Sequence, residues 1–491
     1  MQRAAFLVAI VIALLITLFY ATHGSSLEAH TQRAKSYFSS NTRTERLHLL
    51  APATGPNLDF CKYLLSNTIL GYPDPICIGW DGRGHWDGRD SHLFKMSEGL
   101  AYLNSIPKEQ DHELLLLFDA YDIWMLLRPD VIISRYNKIM KEQAEALEKE
   151  GLLGLDNRGE PISNTLLFAA DKICWPRAYF DAGCWAVPDT PMPKNQYGPD
   201  TDHSMTMNRP KWLNSGTLIG PIGHMRDLFN ATMENIERNW FDGFDHLVKN
   251  SDQYYLSDLW AEQQITRRKA RGDDVKAPLL GHNDDGSDRY GTLPDIPDDR
   301  RTEYHLSLDY NVEIWQTAAG FMEVLGWMSF NNTTPQDPQH EGLRKRLDQL
   351  ELPDDIKRTR GPYDTPTPRD DLPTEKGWED VILGVDKVLH NVWPLYHLTG
   401  DKNYRDRWWH YVWFLPHAKA LLEANTQPRE SSEPETIAVV DGVRYIAADT
   451  SWMANASAPG RKGGIWTDLG QYKDWATLCG EFDDDPRLFP K

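Results

Sequence analysis

Four leucines and a phenylalanine, Leu114 to Phe118, run straight into Asp119-Ala120-Tyr121-Asp122. A continuous apolar run bounded by a turn is the pattern of a strand covered on both faces, as in parallel sheets flanked by helices. Strand residues three apart point to opposite faces. For the two carboxylates to act together, the strand must end at Phe118 and the chain must turn at Ala120-Tyr121. The pair then sits at the C-terminal edge of the strand, where open α/β sheets bind ligands. Two hard oxygen donors there suit a divalent cation that keeps positions for phosphate oxygens. The competing reading is plain: Asp often opens the turn after a strand. An unpaired buried carboxylate is costly, so the apolar approach favours a partner for the pair.

The flanking segments repeat a strand–helix rhythm. RLHLLAPATG, from Arg46, reads as a strand entering a Pro/Gly loop, and NLDFCKYLLSNTILG as a helix stopped at Gly71. DPICIGWDG reads as a short strand and turn, and SHLFKMSEGLAYLNS as a second helix. With ELLLLFDA the order is β-α-β-α-β, that of a parallel sheet wrapped by helices. Pro129 and Gly151 bracket a further helix. NTLLFAADKICWP and KWLNSGTLIGP read as strands, and MRDLFNATMENIERNW and SDQYYLSDLWAEQQ as helices. Residues 331–376, rich in Pro, Asp and Thr, read as an insertion, and the chain beyond Tyr404 is rich in Trp.

Composition narrows the class. With 41% apolar residues the chain builds a sizeable core, and a net charge of -20 disfavours a general nucleic-acid role. Residues 4–21 (AAFLVAIVIALLITLFYA) form an uncharged apolar run after Arg3, at the short end of a membrane span and longer than a usual signal-peptide core. The expected layout is a cytoplasmic tip at 1–3, a signal anchor at 4–21, a polar stem at 22–45 and a lumenal body. Cleavage of the apolar run would make the protein secreted. Sequons at Asn230, Asn331, Asn332 and Asn455 agree with lumenal exposure. Five cysteines leave at least one without an intrachain partner, and Cys174 and Cys184 are close enough in sequence to close a small loop.

The Asp119-Ala120-Tyr121-Asp122 segment resembles the metal motif of glycosyltransferases with the GT-A fold. More closely, it is similar to the glycosyltransferase domain of the procollagen lysyl hydroxylases. Further segments match that domain in order: Cys174-Trp175-Pro176, Leu213-Asn214-Ser215-Gly216, Asp252-Gln253, LSLDYNVEIWQT ending at Thr317, and KVLHNVWP around His390. The resemblance covers residues 46–400 and implies a GT-A-like, mostly parallel α/β domain, with the 331–376 insertion and with 401–491 as an extension packing on it.

The implied activity is transfer of a hexose from a UDP-sugar to a glycan or protein acceptor in the Golgi or endoplasmic reticulum. The implied cofactor is manganese, held by Asp119, Asp122 and His390, and an imidazole ligand suits manganese better than magnesium or calcium. The resemblance also implies donor contacts at Thr54, Trp80, Lys95, Tyr121, Ser215 and Gln253, and puts Trp175, Asn214 and Asp252 at the reacting sugar. Each has an ordinary alternative: Trp175 as core, Asp252 as a helix cap, Lys95 as a solvated lysine, His390 as a structural histidine. Two departures stand out. Ser251-Asp252 replaces two acids, and His390-Asn391-Val392-Trp393 lacks the glycines that let backbone approach phosphate. They keep open a second class, a lumenal binding protein that retains the fold without turnover.

Overall fold

The computed structural model describes residues 43–82, 91–152, 154–156, 158–240, 249–297, 299–331, 350–427, 434–448 and 462–490. The apolar 4–21 segment, the stem as far as residue 42 and the sequons at Asn332 and Asn455 lie outside the described residues. Among the described residues no helix is long and apolar enough to cross a membrane.

The chain is a mixed α/β fold around a ten-stranded, largely parallel sheet. Its strands are β1 (Arg43–Pro52), β2 (Ile76–Ile78), β3 (Leu114–Phe118), β5 (Leu166–Asp171), β6 (Trp212–Pro221), β9 (Leu306–Asp309), β15 (Thr436–Val440), β16 (Val443–Ala447), β17 (Ile465–Thr467) and β18 (Tyr472–Lys473). β1 is central and pairs in parallel with β2, β3 and β16. β6 lies antiparallel between β3 and β5, and β9 closes that side parallel to β5.

β3 behaves as its sequence demands. Leu114, Leu116 and Phe118 enter the core on one face of the sheet, and Leu115 and Leu117 the core on the other. Full burial of one such side chain stabilises by about 1.5–3 kcal/mol. Helices α2 (Ser91–Ser105), α4 (Ile222–Asn239) and α5 (Asp252–Ala270) cover the Leu115 face. Helices α1 (Leu58–Leu70) and α3 (Pro129–Lys149) contribute to the other. Asn57 caps α1 by accepting from the Phe60 N–H, and Gly71 ends it in the left-handed conformation. Pro129 occupies the first turn of α3.

The segment read as an extension is woven into the sheet. β16 and β17 extend it on β1 and β2, so the last hundred residues complete the fold. The tryptophans there are core: Trp408 and Trp409, on α6 (Tyr404–Trp409), are fully buried, and Trp409 meets Trp124 edge to face at 5.0 Å. A Cys61–Cys479 disulfide ties α1 to the end of the chain. Cys174–Cys184 closes the small loop anticipated from spacing, and Cys77 is the buried free thiol among the described residues.

The described part of the insertion also packs on the body. Arg128 donates to the carbonyls of Gly361 and Asp364 at 2.7 and 2.8 Å. Two small sheets finish the site side: β10 (Trp315–Thr317), β14 (Leu395–His397) and β4 (Ile123–Met125) form one, and β11 (Leu325–Met328), β12 (Leu383–Asp386) and β13 (Asn391–Val392) the other.

Candidate functional site

At the C-terminal edge of β3 the backbone turns at once. The Asp122 N–H donates to the Asp119 carbonyl at 3.1 Å, closing a four-residue turn over Ala120-Tyr121. The Asp119 N–H donates to Gly216 of β6 at 3.0 Å, and the Asp122 carbonyl accepts from Leu398 just past β14. Both carboxylates open into one cavity of about 410 Å³, also lined by Asp171, Trp175, Asn214, Ser215, Asp252, Gln253, His397 and Lys402 among others. That size suits a small-molecule ligand.

A bulge in β6 shapes the floor. The β5–β6 register slips between Phe168 and Ala169, leaving Ser215, Gly216 and Thr217 without partners in β5. Bulges of this kind re-aim side chains beside functional sites. Asn214 Nδ2 donates to Asp171 Oδ2 at 2.8 Å, and its Oδ1 accepts from the Gly216 N–H at 3.0 Å. Gly216 is glycine for a steric reason, since a Cβ there would fall 2.1 Å from Cε1 of His397.

Lys95 is buried beneath the cavity. Its Nζ reaches Asp119 Oδ1 at 3.0 Å, Asp252 Oδ2 at 2.6 Å and the Ser215 carbonyl at 3.1 Å. Burial alone pulls its pKa down; Asp119 and Asp252 outweigh that and hold it above the usual lysine value. With three acceptors and no place on the cavity wall, Lys95 is a clamp under the carboxylates. Its ammonium faces these carboxylates, whereas the resemblance implied a lysine facing the diphosphate.

Gln253 is likewise spent internally. Its Oε1 accepts from the Ser215 N–H at 3.0 Å and its Nε2 donates to the Trp175 carbonyl at 2.5 Å, so it struts β6 to the disulfide loop. Asp252 starts α5 behind the cap residue Ser251, where the helix dipole favours a carboxylate.

Thr54, Trp80 and Tyr121 come together beside the cavity but do not line it. The Tyr121 hydroxyl accepts from the Thr54 and Gly55 N–H groups and donates to the Gly55 carbonyl at 2.7 Å. Trp80 and Tyr121 both pack on Phe60, at 5.8 and 6.2 Å between ring centroids.

His390 is not with them. It is an exposed residue with φ of 57° in the turn between β12 and β13, and it does not line the cavity. The imidazoles that do are exposed His92 and buried His397. β14 runs antiparallel to β4 and sets His397 opposite Ile123, the residue after Asp122. His390, the third ligand that the resemblance implied, therefore stands apart from the Asp119–Asp122 turn, and His397 is beside it. Burial, with Lys402 and Lys95 nearby, pushes its pKa down to about 3, so the ring is neutral at ordinary pH. Its Nδ1 is buried without a hydrogen-bond partner.

Asp171, at the end of β5, is the second residue that motif reading missed. Burial raises its carboxyl to about 6, partly offset by the bond from Asn214. A signal for both was present. Asp171 is an acid ending the apolar strand LLFAAD, and His397 precedes Gly400 and Lys402, which share its cavity.

The carboxylates are already in contact with cations. Asp122 meets Lys402 Nζ at 2.6 Å and also touches Arg405, which bonds Asp59 at 2.6 Å. Among the described residues no group of three or more His, Cys, Asp or Glu side chains is drawn together as a metal cluster. No protein-family model matches the sequence, and no curated protein matches it.

Proposed function

We propose that this protein is a hexosyltransferase that transfers a sugar from a UDP-sugar to a glycan or protein acceptor with the aid of a divalent cation, with manganese the best match. The observation that carries the reading is the meeting of the Asp119–Asp122 turn, His397 and Asp171 in one cavity at the sheet edge. Two carboxylates and a neutral imidazole would become a donor set for a borderline divalent cation if the ion drew them together, since they are not gathered in this structure. Nδ1 of His397 is buried without a partner, and in the tautomer with the proton on Nε2 it would offer a lone pair to such an ion. Asp119, Asp122 and His397 would hold the cation once Lys402 and Arg405 release Asp122. When bound, it supplies neutralisation of the charge that develops on the UDP leaving group.

The remaining work falls to the chain's own groups. Lys95 keeps Asp119 and Asp252 at hydrogen-bond distance from one ammonium. Asn214 orients Asp171, whose raised pKa makes it the group best fitted to accept a proton from an acceptor hydroxyl above about pH 6. Asp252 is less suited to that step, being tied to Lys95. The apolar 4–21 segment and the sequons support a Golgi or endoplasmic reticulum location with a lumenal body.

A second reading has its own observation. Arg405 and Lys402 on Asp122 are what a binding protein without turnover would keep. Manganese-dependent release of UDP from UDP-glucose, UDP-galactose or UDP-N-acetylglucosamine, measured on the full chain, separates the two. Binding of UDP and manganese without release from any donor supports the binding protein. Asp119→Asn with Asp122→Asn abolishes metal-dependent UDP binding while the circular dichroism stays native. Wild-type binding by that double variant refutes the cation assignment.

A further inference from the structure

We infer that the acceptor is a neutral oligosaccharide, held outside the cavity by an aromatic ledge built on the Cys174–Cys184 loop; the inference rests on reading the cavity as a sugar-transfer site. The cavity wall ends at Trp175, which is 58% exposed. The loop then carries Tyr179 and Phe180 outward at 51% and 39% exposure, edge to face with centroids 5.6 Å apart. Three residues lie between Trp175 and Tyr179, so their Cα atoms lie within about 14 Å of each other. Tyr290 adds a further ring at 55% exposure, on the β-hairpin of β7 (Leu279–His282) and β8 (Asp288–Tyr290).

These rings are held out by design of the backbone around them. The Phe180 carbonyl accepts from the Thr292 N–H at 2.7 Å. Arg289 of the hairpin donates to the Tyr179 hydroxyl. Arg177, inside the loop, lies over Tyr254 at 3.3 Å and pairs with Asp258. Trp185 packs so closely on Gly291 that a Cβ there would fall 2.5 Å from the indole nitrogen. Loop and hairpin are therefore bound to each other, and neither is free to fold its rings inward. Exposed apolar rings carry a hydration cost, and a fixed row of them leading out of a site marks a contact surface.

The charges beside the rings select the ligand class. Arg289 is engaged by Tyr179 and by Asn283 Oδ1 at 2.7 Å. His282 faces Asp288 at 3.1 Å, and Asp285 accepts from Ser287. An acidic ligand needs free cations and would meet instead the exposed carboxylates of Asp284, Asp285 and Asp288 on the hairpin. What the ledge offers is ring faces, with exposed carboxylates on the neighbouring hairpin that can accept from hydroxyls. A sugar chain, with flat apolar ring faces and hydroxyls at the edges, matches both.

The experiment uses the full chain with cellotetraose, maltotetraose, mannotetraose and chitotetraose, their monosaccharides, and a set of unglycosylated peptides. Binding is read by saturation-transfer NMR without donor, and UDP binding is titrated separately. The expected result is that at least one tetrasaccharide binds about tenfold more tightly than its monosaccharide. Tyr179→Ala with Phe180→Ala lowers that affinity about tenfold, the loss of roughly one stacking contact or two, while UDP affinity holds. Tyr179→Trp retains tetrasaccharide binding, as a structural role for the hydroxyl would not allow. Absence of tetrasaccharide binding overturns the inference, as does equal chain-length dependence in wild type and double variant, or binding by the peptides alone. Because no donor is present, failure of sugar transfer counts against the proposed reaction and leaves this measurement intact.

Discussion

Replacing Lys95 by methionine tests the electrostatic logic of the site directly. Methionine keeps most of the length and removes the charge. The ammonium contacts Asp119 Oδ1 at 3.0 Å and Asp252 Oδ2 at 2.6 Å. Breaking a buried pair by deleting one partner costs about 3–5 kcal/mol, because the other charge is left stranded. The Asp119 side chain is 35% exposed and can rehydrate, whereas that of Asp252, at 3%, cannot. The expected loss is therefore at the lower end, about 3 kcal/mol. The lysine pKa is raised by its partners, so its contribution is fully present below the ordinary lysine value and fades only as pH rises through the folded one. At pH 7.5 the whole effect is visible. The assay is urea unfolding followed by tryptophan fluorescence, as a double-mutant cycle with Asp252→Asn, which removes the stranded charge. The double variant recovers about 1–3 kcal/mol relative to additivity. Stability of Lys95→Met within about 0.5 kcal/mol of wild type, together with weakened UDP binding, would refute the clamp and restore a diphosphate-facing lysine.

Two other variants probe the floor and wall. Asp171→Asn is expected to stabilise the fold at pH 7.5 by at least about 1 kcal/mol while abolishing sugar transfer. The carboxyl is raised to about 6, so its ionisation penalty grows from the unfolded carboxylate value up to that pH and is fully felt above it; the gain should vanish near pH 4, and a gain that does not change with pH contradicts the assignment. Gly216→Ala forces a Cβ to within 2.1 Å of the His397 ring. It should cost about 1–3 kcal/mol and weaken manganese binding measured by calorimetry, and unchanged metal affinity would remove His397 from the ligand set.

The central elements were legible because each obeys a local rule. The run ending at Phe118 is a doubly buried strand, Gly71 and Pro129 punctuate helices where their φ preferences require, and the Asp119–Asp122 turn follows from the alternation of strand side chains. Local rules do not reach across the chain. Nothing near Lys95 reveals that Asp252 will share its ammonium, since the contact needs α2 and α5 packed on one face of the sheet. His390 stands in the KVLHNVWP segment, and only the pairing of β14 with β4 brings His397 instead beside the Asp119–Asp122 turn.

By itself, then, the order of residues determined the layered α/β architecture, the turn that brings two carboxylates off one strand, and the small disulfide loop. These depend on side-chain period, backbone preference and short chain reach. The tertiary structure alone decided that the final strands join the central sheet, that Cys61 bonds Cys479, and that Asp122 is met by Lys402 and Arg405. Those contacts join residues hundreds of positions apart. Their partners are selected by the packing of whole elements in space, which no short stretch of sequence encodes.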